Sequence, residues 1–223
     1  MKLVHPDWEK QIRWKEGKIP IISIENGPLL FQTAETLRRQ TEGEDGPFLL
    51  CDGEEELSLG KYALFCASPW NMDGSEKKLL TAFYKEVKDE LAGESWQMKK
   101  VELESALLRF AEELRCTSDI DITYDDEADA LALLKTIHLK PEAPVGTVEE
   151  RMLSYMKLAR ELLPVRCFIF YGFSSFLTGE SRHELYRNIL SNQFSLLLLE
   201  GRCHSIVEEE DRFTIDEDLC QIF

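Results

Sequence analysis

Cys167-Phe168-Ile169-Phe170-Tyr171, then a loop, a helical stretch and Leu196-Leu197-Leu198-Leu199, is the part of this chain that decides its fold. Both apolar runs are continuous rather than alternating. That is the pattern of strands covered on two faces, and so of a parallel sheet. Thr147 with Glu150 makes a capping box that opens a helix over Val148–Leu163, and Pro164 ends it. Thr178 is placed to cap a second helix, Gly179–Asn192. Helix, strand, helix, strand in this order implies a right-handed parallel crossover.

Working outward, Ile19–Ile24 is an apolar, β-branched run that ends in Glu25-Asn26-Gly27-Pro28, a strand followed by a turn. Leu29–Gln40 then reads as a helix with Arg38 and Arg39 in its last turn. Phe48–Cys51 and Tyr62–Cys66 read as further strands, and Val207–Glu210 with Phe213–Ile215 as edge strands. The middle of the chain changes period. Ser75–Leu91 and Lys99–Arg115 fit amphipathic helices, parted by Gly93 into an antiparallel hairpin. In the second, Leu103, Ala106, Leu107, Phe110, Ala111 and Leu114 share a face. Ala128–His138 is a third helix, and Pro141, Pro144 and Gly146 mark a linker. The expected architecture is an α/β domain in two pieces, residues 1–68 and 140–223, with a helical insertion over 69–139.

The 223 residues are 43% hydrophobic and 30% charged, enough to bury a core. No stretch approaches the ~18 apolar residues of a membrane span, and Met1–Trp8 lacks the apolar core of a signal peptide. Six cysteines form no Cys-x-x-Cys pair, and four lie in or beside apolar runs, as expected for reduced, buried thiols in a cytoplasmic protein. The formal net charge of -16 disfavours nucleic acid unless positive charge is localised. It is localised in one place. On a helix over Ser75–Leu91, Lys77, Lys78, Lys85 and Lys88 fall within an arc of roughly 100°. Leu79, Leu80, Phe83, Tyr84, Val87 and Leu91 fill another sector. Such a stripe suits a phosphate backbone; the plainer reading is a solvated helix face with i,i+4 pairs.

Residues 119–129 hold six carboxylates: Asp119, Asp121, Asp125, Asp126, Glu127 and Asp129. The alternate spacing resembles the start of an EF-hand loop, but Tyr124 stands where glycine is needed and Ala130 where the closing glutamate would be. Oxygen ligands here suit calcium. Equally, the stretch is a solvated linker with Asp125 or Asp126 capping the next helix. Glu208–Asp211 and Asp216–Asp218 read as solvated acidic edges. Nucleotide chemistry has little support. The turn after Ile24 holds one glycine, no lysine and no hydroxyl, and Pro28 removes an N–H that would face a phosphate. Gly172–Phe176 lacks the second glycine of a nucleophile elbow, and His183-Glu184 has no histidine following at helical spacing. His183 and His204 are read as surface or structural residues.

The C-terminal strand, loop, helix and strand resemble the matching half of an ATP-binding-cassette head. Tyr171-Gly172 stands where that head carries its acidic pair, so the fold class expected is a degenerate ABC-ATPase-like α/β head with an inserted helical leg. The whole chain resembles the type II-A CRISPR-associated spacer-acquisition family. The resemblance rests on Ile22-Ser23-Ile24-Glu25-Asn26 before Leu29-Leu30-Phe31, the paired helices of the insertion and the acidic stretch running into Leu131-Ala132-Leu133-Leu134-Lys135. It rests also on Cys167–Tyr171 with Leu177-Thr178, and on Phe213–Leu219. It implies a non-catalytic homotetrameric ring that binds calcium, encircles double-stranded DNA near its ends without reading sequence, and works with the CRISPR integrase and the type II Cas effector nuclease. Carried onto these residues, calcium falls to Asp125, Asp126, Glu127 and Asp129, with Asp121 as the outlying candidate. The physical candidates for DNA are Lys77, Lys78, Lys85 and Lys88, then Arg13, Lys15 and Lys18. The rival readings are an NTPase or nuclease of unusual design and a protein-only adaptor of the adaptation complex.

Overall fold

The computed structural model describes residues 1–202 and 205–222, so Cys203 and His204 lie outside the described residues. In chain order its elements begin with β1 (Lys2–Val4), β2 (Ile12–Arg13), β3 (Ile19–Ile24), α1 (Gly27–Thr41), β4 (Leu49–Asp52), β5 (Glu55–Leu57), α2 (Leu59–Tyr62) and β6 (Ala63–Cys66). Three helices follow, α3 (Lys77–Leu91), α4 (Glu94–Thr117) and α5 (Ala130–Thr136). Then come α6 (Val148–Leu162), β7 (Cys167–Tyr171), α7 (Gly179–Ser191), β8 (Leu196–Glu200), β9 (Glu210–Ile215) and β10 (Gln221–Ile222). The chain divides into two compact units, Met1–Gly74 with Ala143–Phe223, and Ser75–Glu142.

The first unit is built on a six-stranded sheet of order β10-β9-β3-β8-β7-β6. Neighbours from β9 to β6 run parallel, and only β10 is antiparallel, against β9. The continuous apolar runs behave as their composition requires. Every residue of β3 and β8 is buried, and so are the first four of β7. Each such leucine or phenylalanine taken from water contributes about 1.5–3 kcal/mol. α6 covers the sheet with Met152, Tyr155, Met156 and Ala159, and α7 with Leu185, Tyr186 and Ile189. The capping box is formed. The Thr147 hydroxyl accepts from Glu150 N at 3.3 Å, and the Glu150 carboxylate accepts from Thr147 N at 2.8 Å. Thr178 caps α7 through Ser181 N.

A second sheet, wholly antiparallel and of order β2-β1-β4-β5, holds the run expected as the strand Phe48–Cys51. β1, β2 and β5 give no signal in the sequence; two or three residues are too few to display a period.

The C-terminal strands depart from expectation. Val207–Glu210 is a turn into β9, and β9 is interior, paired with β3 along six residues, while β10 forms the edge. The acidic group at Glu208–Asp211 is therefore not a solvated edge. Glu210 is buried and accepts from Arg182 Nη1 at 3.2 Å and Arg212 Nη2 at 2.7 Å. Asp211 pairs with Lys15 at 2.8 Å and Lys10 at 3.5 Å. Of the four cysteines beside apolar runs, Cys66 and Cys167 are buried, Cys51 is half-buried and Cys220 is exposed. Burial pushes the Cys167 thiol far above its usual range.

Candidate nucleic-acid interface

α3 is the element that carries the cations. Its apolar sector orients it within the second unit: Leu79 is buried, and Leu80, Phe83, Tyr84, Val87 and Leu91 are half-buried. The Tyr84 hydroxyl donates to the Leu139 carbonyl at 2.7 Å. That leaves the lysine sector outward. Lys77, Lys85 and Lys88 are exposed, and none has an ion-pair partner among the described residues. Lys78 differs from the other three. It is half-buried, and desolvation lowers its pKa, so its ammonium is a poorer phosphate donor than its spacing in the sequence suggests.

Sequence reasoning missed one neighbour. Lys135 of α5 is exposed and stands over the Tyr84 ring, 5.3 Å from its centroid. Tyr84 borders the lysine sector on α3, so Lys135 adds a fourth exposed ammonium beside Lys77 and Lys88. No periodicity reveals a pairing between residues so far apart in the chain.

Arg13, Lys15 and Lys18 lie in the first unit. Arg13 is exposed and donates to the Gln11 side chain at 3.0 Å. Lys15 is taken up by Asp211, and Lys18 donates to the Glu208 carbonyl at 2.5 Å. Among the described residues Lys15 has its charge answered by a carboxylate, whereas Arg13 and Lys18 meet neutral acceptors.

The acidic stretch is fixed along α4 by side-chain bonds at two points. The Tyr124 hydroxyl donates to Glu112 Oε2 at 2.6 Å, and Ala130 N donates to Glu104 Oε1 at 3.1 Å. The Arg115 guanidinium and then the Tyr124 hydroxyl hold the Glu112 carboxyl at about 2. Asp129, not Asp125 or Asp126, caps α5, accepting from Leu131 N at 2.9 Å. Asp121, Asp125, Asp126 and Glu127 are exposed along an irregular segment. Among the described residues no three or more carboxylates, histidines or cysteines are gathered at metal-binding geometry. The oxygen chemistry suits calcium; their arrangement in one chain does not by itself form a cage.

α4 also corrects an expectation. The face bearing Leu103, Leu107, Phe110 and Leu114 is not the packed one; those four are exposed, Phe110 by 64%. Glu104, Leu108, Ala111 and Glu112 occupy the more buried side. At the β3–α1 turn, where a phosphate loop would sit, Asn26 accepts from Leu29 N at 3.0 Å and donates to the Glu217 carbonyl at 3.2 Å. One of the N-terminal amides that a phosphate would need is therefore occupied. No helix among the described residues is long and apolar enough to cross a membrane.

These features can be set beside known proteins. The family model for CRISPR-associated proteins of the Cas_Csn2 kind matches residues 40–219. A solved structure, described as the crystal structure of Stu0660 of Streptococcus thermophilus, superposes with a TM-score of 0.63 at 14% identity. The match covers 97% of this chain and 75% of that one, and at such identity the likeness is one of fold. No curated protein matches the chain.

Proposed function

Since this chain belongs to the CRISPR-associated Cas_Csn2 family, whose place is in type II-A adaptation, we propose that it is a non-catalytic, sequence-blind clamp for double-stranded DNA ends used in spacer acquisition. One observation carries the reading: Lys77, Lys85 and Lys88 form an exposed row without carboxylate partners among the described residues, on a chain of net charge -16. Free cations of that kind are disposed to meet phosphate, and bonds to phosphate carry no base information. The occupied β3–α1 turn supports the absence of nucleotide turnover.

A clamp requires closure, and the reading includes a homotetrameric ring that works with the CRISPR integrase and the type II Cas effector nuclease. The exposed apolar face of α4 supports assembly, because a contiguous apolar face seeks a partner surface. Calcium enters as a ligand of the acidic stretch. Asp125, Asp126, Glu127 and Asp129, with Asp121, would have to gather around it, and no step of the activity is routed through the ion. A degenerate ABC-ATPase-like origin of the head fits the parallel strand order and belongs to the same reading.

The test is retention on linear against covalently closed DNA in gel shifts, with calcium and with chelator. Binding of linear DNA that falls with salt and fails on closed circles supports the clamp. Absence of binding to both, with calcium present, overturns it. A second reading, a protein-only adaptor, is favoured by the α4 face. It would be supported by capture of the integrase or effector with no DNA retention, and removed by DNA retention that depends on Lys85.

A further inference from the structure

A cavity of about 360 Å³ opens in the first unit, whereas the lysine row and the acidic stretch belong to the second. One wall is aromatic. His5 lies 4.6 Å from Phe48 and 5.2 Å from Trp8, centroid to centroid, and Trp8 packs edge-on against Phe48 at 5.2 Å. The opposite wall is one face of α1, with Gln32, Thr33 and Thr36. The rim is held in place from the far end of the chain. Gln221 donates to the Asp7 carbonyl at 3.0 Å and accepts from Glu9 N at 2.8 Å, clamping the turn that carries His5 and Trp8.

The α1 wall has an unanswered hydroxyl. Thr41, Thr81, Thr117 and Thr136 each donate to a carbonyl three or four residues back in their own helix. Thr33 does not, although only 5% of the residue is exposed, and its hydroxyl has no partner among the described residues. The oxygen is not fully enclosed, so it stays within reach of a molecule in the cavity that Thr33 lines. Thr36, half-buried beside it, and the Trp8 indole N–H are likewise without a partner among the described residues. His5 accepts from Asp7 N at 3.2 Å through Nδ1, which places its proton on Nε2 as a further donor. Burial lowers the His5 pKa against the opposing effect of Asp7, so the ring stays neutral near pH 7.

The geometry points to a small-molecule site for an uncharged planar heterocycle of the nucleobase type, stacked on Trp8 and His5 and hydrogen-bonded by Thr33 and Thr36. The volume is within the ~300–1,000 Å³ of ordinary ligand pockets. Stacking on aromatic rings is tolerant of which base is bound, since every base has a π-face. The donors select acceptor atoms such as ring nitrogens and carbonyls. The exposed Asp7 carboxylate and the net charge of -16 disfavour a phosphorylated form.

Saturation-transfer NMR on the full chain, with the common free nucleosides and their 5′-monophosphates as probes, tests this site. The expected result is transfer to the ring protons of at least one nucleoside, weaker for its monophosphate. Thr33→Val should weaken binding about threefold to tenfold, and Thr33→Ser should retain it. If Thr33→Val fails to fold by thermal melt, Thr36→Val is read in its place. No transfer from any nucleoside at millimolar concentration overturns the site. So does binding that is the same in the wild type, Thr33→Val and Thr36→Val. DNA retention is not read at any point, so failure here leaves the clamp standing, and the reverse.

Discussion

Replacing Glu210 by Gln should destabilise the first unit more than any single change to the cations that surround it. The Arg182 and Glu210 side chains are 3% and 1% exposed, and Arg212 completes the group at 14%. Glu210 also accepts from the Tyr186 hydroxyl at 3.3 Å. Glu210→Gln removes the one carboxylate that two guanidiniums share, leaving Arg182 with the Ser205 carbonyl and hydroxyl as its remaining acceptors. Breaking a buried pair by removing one partner costs about 3–5 kcal/mol. Arg182→Met leaves Glu210 still held by Arg212, so its cost is closer to that of one charged hydrogen bond, about 1.5–3 kcal/mol. In a domain of this size 1 kcal/mol moves Tm by about 2–4 °C, so Glu210→Gln should lower it by about 6–20 °C. Thermal unfolding by circular dichroism at pH 7, with urea midpoints as a check, reads both variants. If Glu210→Gln melts within about 2 °C of the wild type, or above Arg182→Met, the cluster does not hold β9 in the sheet as reasoned.

Lys77, Lys85 and Lys88 changed together to Ala should flatten the dependence of log K on log salt by about 0.9 for each phosphate left unneutralised, read by fluorescence anisotropy on a linear duplex. The same change at Lys15 should leave the slope unaltered, because Asp211 already answers that charge. Thr147→Ala removes the α6 cap and should cost about 1 kcal/mol in denaturant unfolding. Glu112 gives a pH dependence of definite sign. Its carboxyl is lowered from 4.5 to about 2 by Arg115 and Tyr124, so the stabilisation is present above the unfolded value and disappears as pH falls toward 2. Amide protection around Tyr124, taken relative to intrinsic exchange rates, should therefore fall across that window, and should already be reduced at pH 7 in Tyr124→Phe.

The sequence displays the parallel α/β class because apolar runs such as Phe168–Phe170 and Leu196–Leu199 have no polar face to give to water. The caps at Thr147 and Thr178 are equally visible, since they are local hydrogen bonds between residues three apart. What stays hidden is partnership. β9 reads as a charged edge because the partner that lets Glu210 be buried beside Arg212 is Arg182, a residue 28 positions before Glu210. Periodicity finds the apolar face of α4 but not whether a neighbour covers it, and among the described residues none does. The lysine row on α3 is legible for the same reason as the caps, being set by helical spacing. Lys78 and Lys135 are misjudged because one is screened and the other supplied by packing between residues distant in sequence.

β6 and β7 are adjacent, in-register strands, with Ala63 opposite Cys167 and Cys66 opposite Phe170. Residues 67–166 are therefore a single connection between neighbours, and the helices of the second unit are cargo on that connection. The closure entropy of such a connection grows only as the logarithm of its length, about 0.6 kcal/mol for each doubling. Helical turns could be added to or trimmed from α3 and α4 with little thermodynamic consequence for the sheet. The reach of the insertion is thus free to be tuned by selection while the strands that anchor it stay unchanged.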